Sequence, residues 1–86
     1  MDTAALVARA KQQLEALLGL PTDTVSRFDR APEGGWALGL DMLEHSAIPR
    51  THDLIARYEI ELDEEGTLRR WKRTARTQRG QLLEES

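Results

Sequence analysis

Between Leu54 and Leu62 every second residue is apolar: Leu54, Ala56, Tyr58, Ile60 and Leu62 alternate with Ile55, Arg57, Glu59 and Glu61. A period of two places the two sets on opposite faces of an extended strand. The segment therefore needs a sheet with one side covered, and something else in the chain must supply the cover. The chain has 86 residues, and a chain of that size buries roughly 60 to 65% of the surface its unfolded form exposes. That is enough for one core and too little for two. A single domain over residues 1–80 is expected, with 81–86 as a polar tail that frays.

The cover is found at the start. From Asp2 to Leu18 the sequence is built of good helix formers, and Leu6, Val7, Ala10, Leu14, Leu17 and Leu18 recur at three- and four-residue steps as one apolar stripe. Asp2 or Thr3 can accept a hydrogen bond from the unpaired first-turn amides. Gly19 can take the left-handed conformation past the end, and Pro21 cannot continue the helix. Arg9, Lys11, Gln12, Gln13 and Glu15 fall mostly off the stripe and are expected to face water.

Three further strands complete the pattern. Thr24 to Arg30 reads as a first strand, ended by the turn cluster Pro32-Glu33-Gly34-Gly35. Trp36, Leu38, Leu40 and Met42 then alternate with Ala37, Gly39, Asp41 and Leu43, a second strand that Ile48-Pro49 stops near His45. After the strand at Leu54–Leu62, Asp63-Glu64-Glu65-Gly66 fits a type I turn closed by a glycine bulge. It would set Asp63 opposite Thr67, Leu62 opposite Leu68 and Glu61 opposite Arg69. The last strand, Thr67 to about Thr77, is dominated by Arg69, Arg70, Lys72, Arg73 and Arg76. Short turns between consecutive strands need no crossover helix, so the class is α+β: a helix lying on one face of a four-stranded antiparallel sheet, in the order α-β-β-β-β.

Composition narrows the chemistry. There is no cysteine, which removes disulfides and thiolate sites. No serine sits in a nucleophile-elbow pattern, and no glycine-rich phosphate loop occurs. Glu44, His45, His52 and Asp53 lie within ten positions. Adjacent strand residues point to opposite faces, however, and Asp53 is more simply a loop cap. A non-enzyme with no catalytic residue, no metal and no cofactor is expected. Twelve Lys and Arg against fifteen Asp and Glu give a net charge of -3, so nucleic acid is not the expected partner unless charge is locally asymmetric. No apolar run approaches the about 20 residues of a bilayer span, and the first residues lack the pattern of a signal peptide. The expected location is the cytoplasm.

The run from Trp36 to Arg79 resembles the gas vesicle synthesis protein O family. The likeness is carried by Trp36, Leu43-Glu44, Ile48-Pro49, Asp53-Leu54, Ala56, Tyr58-Glu59, Leu62-Asp63, Gly66, Leu68, Arg73, Arg76 and Arg79, at constant spacing. The weaker Leu17-Leu18-Gly19 and Val25 extend it over nearly the whole chain. Thr77 departs from the Arg-Tyr-x-Arg segment with which the family commonly closes. The resemblance implies an accessory role in gas vesicle formation, with other gas vesicle proteins as partners and an association with the vesicles.

The residues themselves suggest how such a role is performed. Arginine and tryptophan are the commonest interface anchors, which makes Arg69, Trp71, Arg73, Arg76 and Arg79 the expected partner-binding patch. Trp36, beside its diglycine turn, is expected in the core or at its rim. On a regular strand Trp71 and Leu68 occupy opposite faces, and only a bulge would bring them together. The plainer reading of the arginines is a hairpin whose charges neutralise Glu59 to Glu65 across the ladder. Two further alternatives stay open: a small nucleic-acid-binding or regulatory module that uses the same strand, and a homodimer joined through exposed sheet faces.

Overall fold

The computed structural model describes residues 2–80, so the expected tail at 81–86 lies outside the described residues. A helix α1 (Thr3–Leu18) leads into strands β1 (Thr22–Arg30), β2 (Trp36–His45), β3 (Leu54–Leu62) and β4 (Leu68–Gln78), with one 3-10 turn at Arg50–His52 before β3. The strands form one antiparallel sheet in the order β1-β2-β3-β4. The α+β class and the strand sequence follow the sequence pattern, except that β1 begins at Thr22, two residues before the expected Thr24, and β4 at Leu68, one residue after the expected Thr67.

Asp2 caps α1 by accepting from the Ala5 amide at 2.8 Å, and Gly19 ends it with a φ of 72°. Leu6, Ala10 and Leu14 press on Leu38, Leu40, Met42, Ala56, Tyr58, Ile60 and Leu62 of β2 and β3. Two expectations about the helix are corrected. Leu17, placed on the stripe, is 52% exposed, while Leu18 and Leu20 make the contact at that end. A sheet that twists beneath a straight helix does not meet the same side of it along its whole length. Arg9, Gln13 and Glu15, expected to face water, hold the helix to the sheet. Gln13 donates to the Gly66 carbonyl and accepts from the Leu68 amide, both at 2.8 Å. Arg9 donates to the same carbonyl at 3.3 Å, and Glu15 accepts from the Thr22 amide at 3.1 Å.

The two hairpin turns lie together at one end of the sheet. Gly34 and Gly35 both have positive φ, and a side chain at Gly35 would collide with the Leu62 carbonyl. The Gly35 amide donates to Glu64 at 2.6 Å, joining one turn to the other. In the second turn the Asp63 amide donates to the Thr67 carbonyl, and Asp63 Oδ1 accepts from the Glu65 and Thr67 amides. This is the expected Asp63–Thr67 closure. Leu62 pairs with Leu68 as expected, but Glu61 pairs with Arg70 and not with Arg69, because a bulge shifts the register by one immediately after Leu68.

The face away from α1 is a charge ladder. Arg27, Gly39, Glu59 and Lys72 lie in register across all four strands. Arg27 reaches over Gly39 to Glu59 at 2.9 Å. Asp41, 6% exposed, takes a two-pronged contact from Arg57 at 2.7 and 3.1 Å. The expected neutralisation of acidic by basic residues across strands is thus present, though through different partners.

Candidate docking surface on the last strand

An uninterrupted strand would send Leu68, Arg70, Lys72, Thr74 and Arg76 to one face and Arg69, Trp71, Arg73, Ala75 and Thr77 to the other. The structure does something else. On β3 the residues facing α1 are Ala56, Tyr58, Ile60 and Leu62, and their partners on β4 are Arg76, Arg73, Trp71 and Leu68. Arg69 and Thr74 are the unpaired residues of two bulges. Each bulge resets the alternation, so Leu68, Trp71, Arg73 and Arg76 share the helix side of the sheet. Arg70 and Lys72 face the charge ladder.

Within this row the environment changes from apolar to ionic. Leu68 packs against the core. Trp71, 44% exposed, contacts the ring of buried Tyr58 at 6.0 Å between centroids, with planes inclined at 52°. Arg73 and Arg76 then converge on Glu44. Arg73 Nη1 lies 3.4 Å from its Oε2, and Arg76 Nε lies 2.6 Å from its Oε1 in an ion contact that misses hydrogen-bond geometry. Both guanidinium side chains remain about half exposed, at 51% and 56%. Arg69 and Lys72 are exposed and make no ion pair among the described residues.

Arg79, the fifth residue of the expected patch, is placed elsewhere. Its guanidinium bridges Asp23 at the start of β1, at 2.7 Å, and Asp53 just before β3, at 3.1 Å. Its amide donates to the Asp53 carbonyl at 2.9 Å. Asp53 also accepts from the Ala47 amide at 2.7 Å, the expected loop cap. The hydrogen bond from Arg79 holds Asp23 below its ordinary carboxylate value. For Asp53 the Ala47 amide lowers the value first and Arg79 adds to it. The pair of carboxylates raises Arg79 in return, Asp23 first. Arg79 is a clasp on the far end of β4 and not an exposed anchor.

The other residues singled out in the sequence also find places. Trp36 packs partly buried against the core, with the Arg30 guanidinium 4.9 Å above its ring. Glu44, His45, His52 and Asp53 do not converge, and no group of side chains able to hold a metal occurs among the described residues. No helix among the described residues is long and apolar enough to cross a membrane. Sequence reasoning missed Glu44 as the carboxylate between two arginines and Tyr58 as the seat of Trp71.

Comparisons place these features in a family. The model of the family described as gas vesicle synthesis protein GvpO matches residues 1–82. Gas vesicle protein O of Streptomyces sp. (strain CB03234) is 43% identical over 68 residues, covering 79% of this chain and 52% of that protein. Gas vesicle protein O of Haloferax mediterranei is 32% identical over 77 residues, covering 90% of this chain and 55% of the relative. Gas vesicle protein O1 of Halobacterium salinarum is likewise 32% identical over 77 residues, covering 90% and 64%. The chain therefore spans about half to two thirds of the length of the relatives it matches. No solved structure matches it. On the strength of a match across almost its whole length, the chain belongs to the gas vesicle synthesis protein GvpO family.

Proposed function

We propose that this chain is an accessory factor in gas vesicle formation that works in the cytoplasm by docking on other gas vesicle proteins, and not by catalysis. Family membership supports the setting. The observation that carries the mode of action is the pair of bulges that gathers Trp71, Arg73 and Arg76 on one side of an edge strand with Arg69 beside them. An exposed indole flanked by half-exposed guanidiniums combines apolar area with charge-assisted hydrogen bonding, the usual make-up of an interface anchor. In this reading Arg79 positions the strand and does not touch the partner.

Glu44 determines how the patch must be tested. Reversing Arg73 and Arg76 to glutamate would set three carboxylates together and damage the fold as well as the surface. Combining Arg73→Gln and Arg76→Gln with Glu44→Gln removes the internal charge with its partners and leaves similar shapes. This triple variant, and separately Trp71→Ala, should melt close to wild type yet lose capture of gas vesicle proteins in cells carrying the full vesicle gene set. Capture that survives both variants would remove the patch from consideration. Flotation of cells lacking the protein tests the role itself, and normal buoyancy would count against it. Binding to heparin or DNA with a steep salt slope would favour a nucleic-acid module instead. The ion pairs that occupy Arg70, Arg73, Arg76 and Arg79 weigh against that outcome.

A further inference from the structure

β4 is an edge strand of 11 residues, and from Arg69 to Arg76 all of its residues are exposed. Its inner side is hydrogen-bonded to β3, and its outer side presents main-chain groups to which a further strand can pair. Between the bulges at Arg69 and Thr74 the segment Arg70–Arg73 is regular. There Arg70 and Lys72 face one side of the sheet, and Trp71 and Arg73 face the other. No acidic residue occurs from Thr67 to Gln78.

We infer that the outer edge of β4 accepts an extended partner segment in which acidic and apolar residues alternate, added to the sheet as a fifth strand at Arg70–Arg73. The inference rests on the docking role proposed above and specifies its chemistry. A strand laid along this edge would set its residues on one face beside Lys72, which holds no ion pair among the described residues, and Arg70, whose contact with Glu61 is long at 3.7 Å and exposed, so a partner carboxylate is matched first at Lys72. Residues on its other face would meet the exposed part of Trp71, where apolar side chains are matched. Lys72 makes no ion pair among the described residues and is free to serve that carboxylate. A second copy is disfavoured at the same edge, because pairing β4 with β4 would oppose like charges along the whole ladder. The opposite edge, β1, carries Asp23 and Asp29 among Arg27 and Arg30 and offers no such preference of sign.

The test titrates the intact protein with a short synthetic peptide alternating glutamate with valine, followed by backbone amide resonances and tryptophan fluorescence. Controls are the same peptide with its backbone nitrogens methylated and a peptide alternating lysine with valine. Binding of the acidic peptide should shift the amides of Arg70–Arg73 and leave β1 unmoved. The methylated peptide should bind at least about tenfold more weakly, because its main-chain donors are gone. The lysine peptide should not bind. Equal binding of the methylated and unmethylated acidic peptides would overturn strand addition while leaving an acidic contact patch in place. If neither acidic peptide binds, both strand addition and the acidic-partner reading fail. Shifts confined to β1, or displacement of the peptide by a single-stranded oligonucleotide of equal charge, would also overturn the inference.

Discussion

The two ends of β4 are fastened by different physics. At the turn end, Leu68 packs against the core, and its amide, together with the Gly66 carbonyl, is bonded to the neutral Gln13 of α1, with Arg9 adding a longer contact to that carbonyl and no carboxylate involved. At the far end, Arg73 and Arg76 meet Glu44, and Arg79 meets Asp23 and Asp53. Hydrocarbon contact and neutral hydrogen bonds are nearly indifferent to salt and to mild acid, whereas ion pairs respond to both. The strand is thus held mainly by packing and neutral hydrogen bonds at one end and by ion pairs at the other.

The sharpest way to break this contrast is at the turn end. Leu62 is fully buried opposite Leu68, and Leu62→Ala should cost about 3 kcal/mol in chemical denaturation, equally at low and high salt. At the far end, Arg79→Gln should lower Tm by roughly 5 to 10 °C, and because Asp53 is nearly buried and Asp23 only partly exposed, about 1 M salt should narrow that difference without abolishing it. A Tm difference between the two proteins that is moved neither by salt nor by acid would show the clasp to be packing and not charge.

Acid gives an independent check on the same end. Asp23 and Asp53 are held below their ordinary value of 3.8 in the folded protein. Their contribution is therefore full above that value and is lost as pH falls through the depressed folded values. Wild type should lose stability as pH drops below about 4, and Arg79→Gln should remove mainly the share due to Asp23, since the Ala47 amide still lowers Asp53. A smaller effect belongs to Gln13→Ala, about 1 kcal/mol from two lost hydrogen bonds, with no salt dependence. Smallest is Arg70→Ala, whose exposed contact with Glu61 spans 3.7 Å; it should change stability by less than about 0.5 kcal/mol, while weakening capture if the edge is a docking site.

Which parts of this were legible beforehand follows from the range of the forces. The helix, the four strands and both turns were readable because apolar periodicity and glycine act within a few residues. Thus Leu54–Leu62 declares a strand by itself, and Gly66 closes its turn without help. The bulge after Leu68 is the condition for Trp71 to join its side, yet the sequence does not reveal it, since Arg69 carries no local signal of being unpaired. The Glu61–Arg70 pairing was missed for that reason. The Arg79 clasp was missed because it unites residues 26 and 56 positions apart. An arginine among arginines looks alike whether it faces water or two carboxylates. Gln13 and Glu15 read as solvent-facing because polarity alone does not reveal an unmet amide nearby.

Gly39 is the quietest position in the sheet, a bare backbone in the middle of β2. Its emptiness lets the Arg27 side chain cross the strand and grip Glu59, so that β1 and β3, which are never neighbours, are braced like boards joined by a batten. A methyl group there would press on Ser26 and crowd Glu59. The vacancy thus ties the first strand to the third through charge on the face away from α1, a link that passes over the strand between them where it carries no side chain.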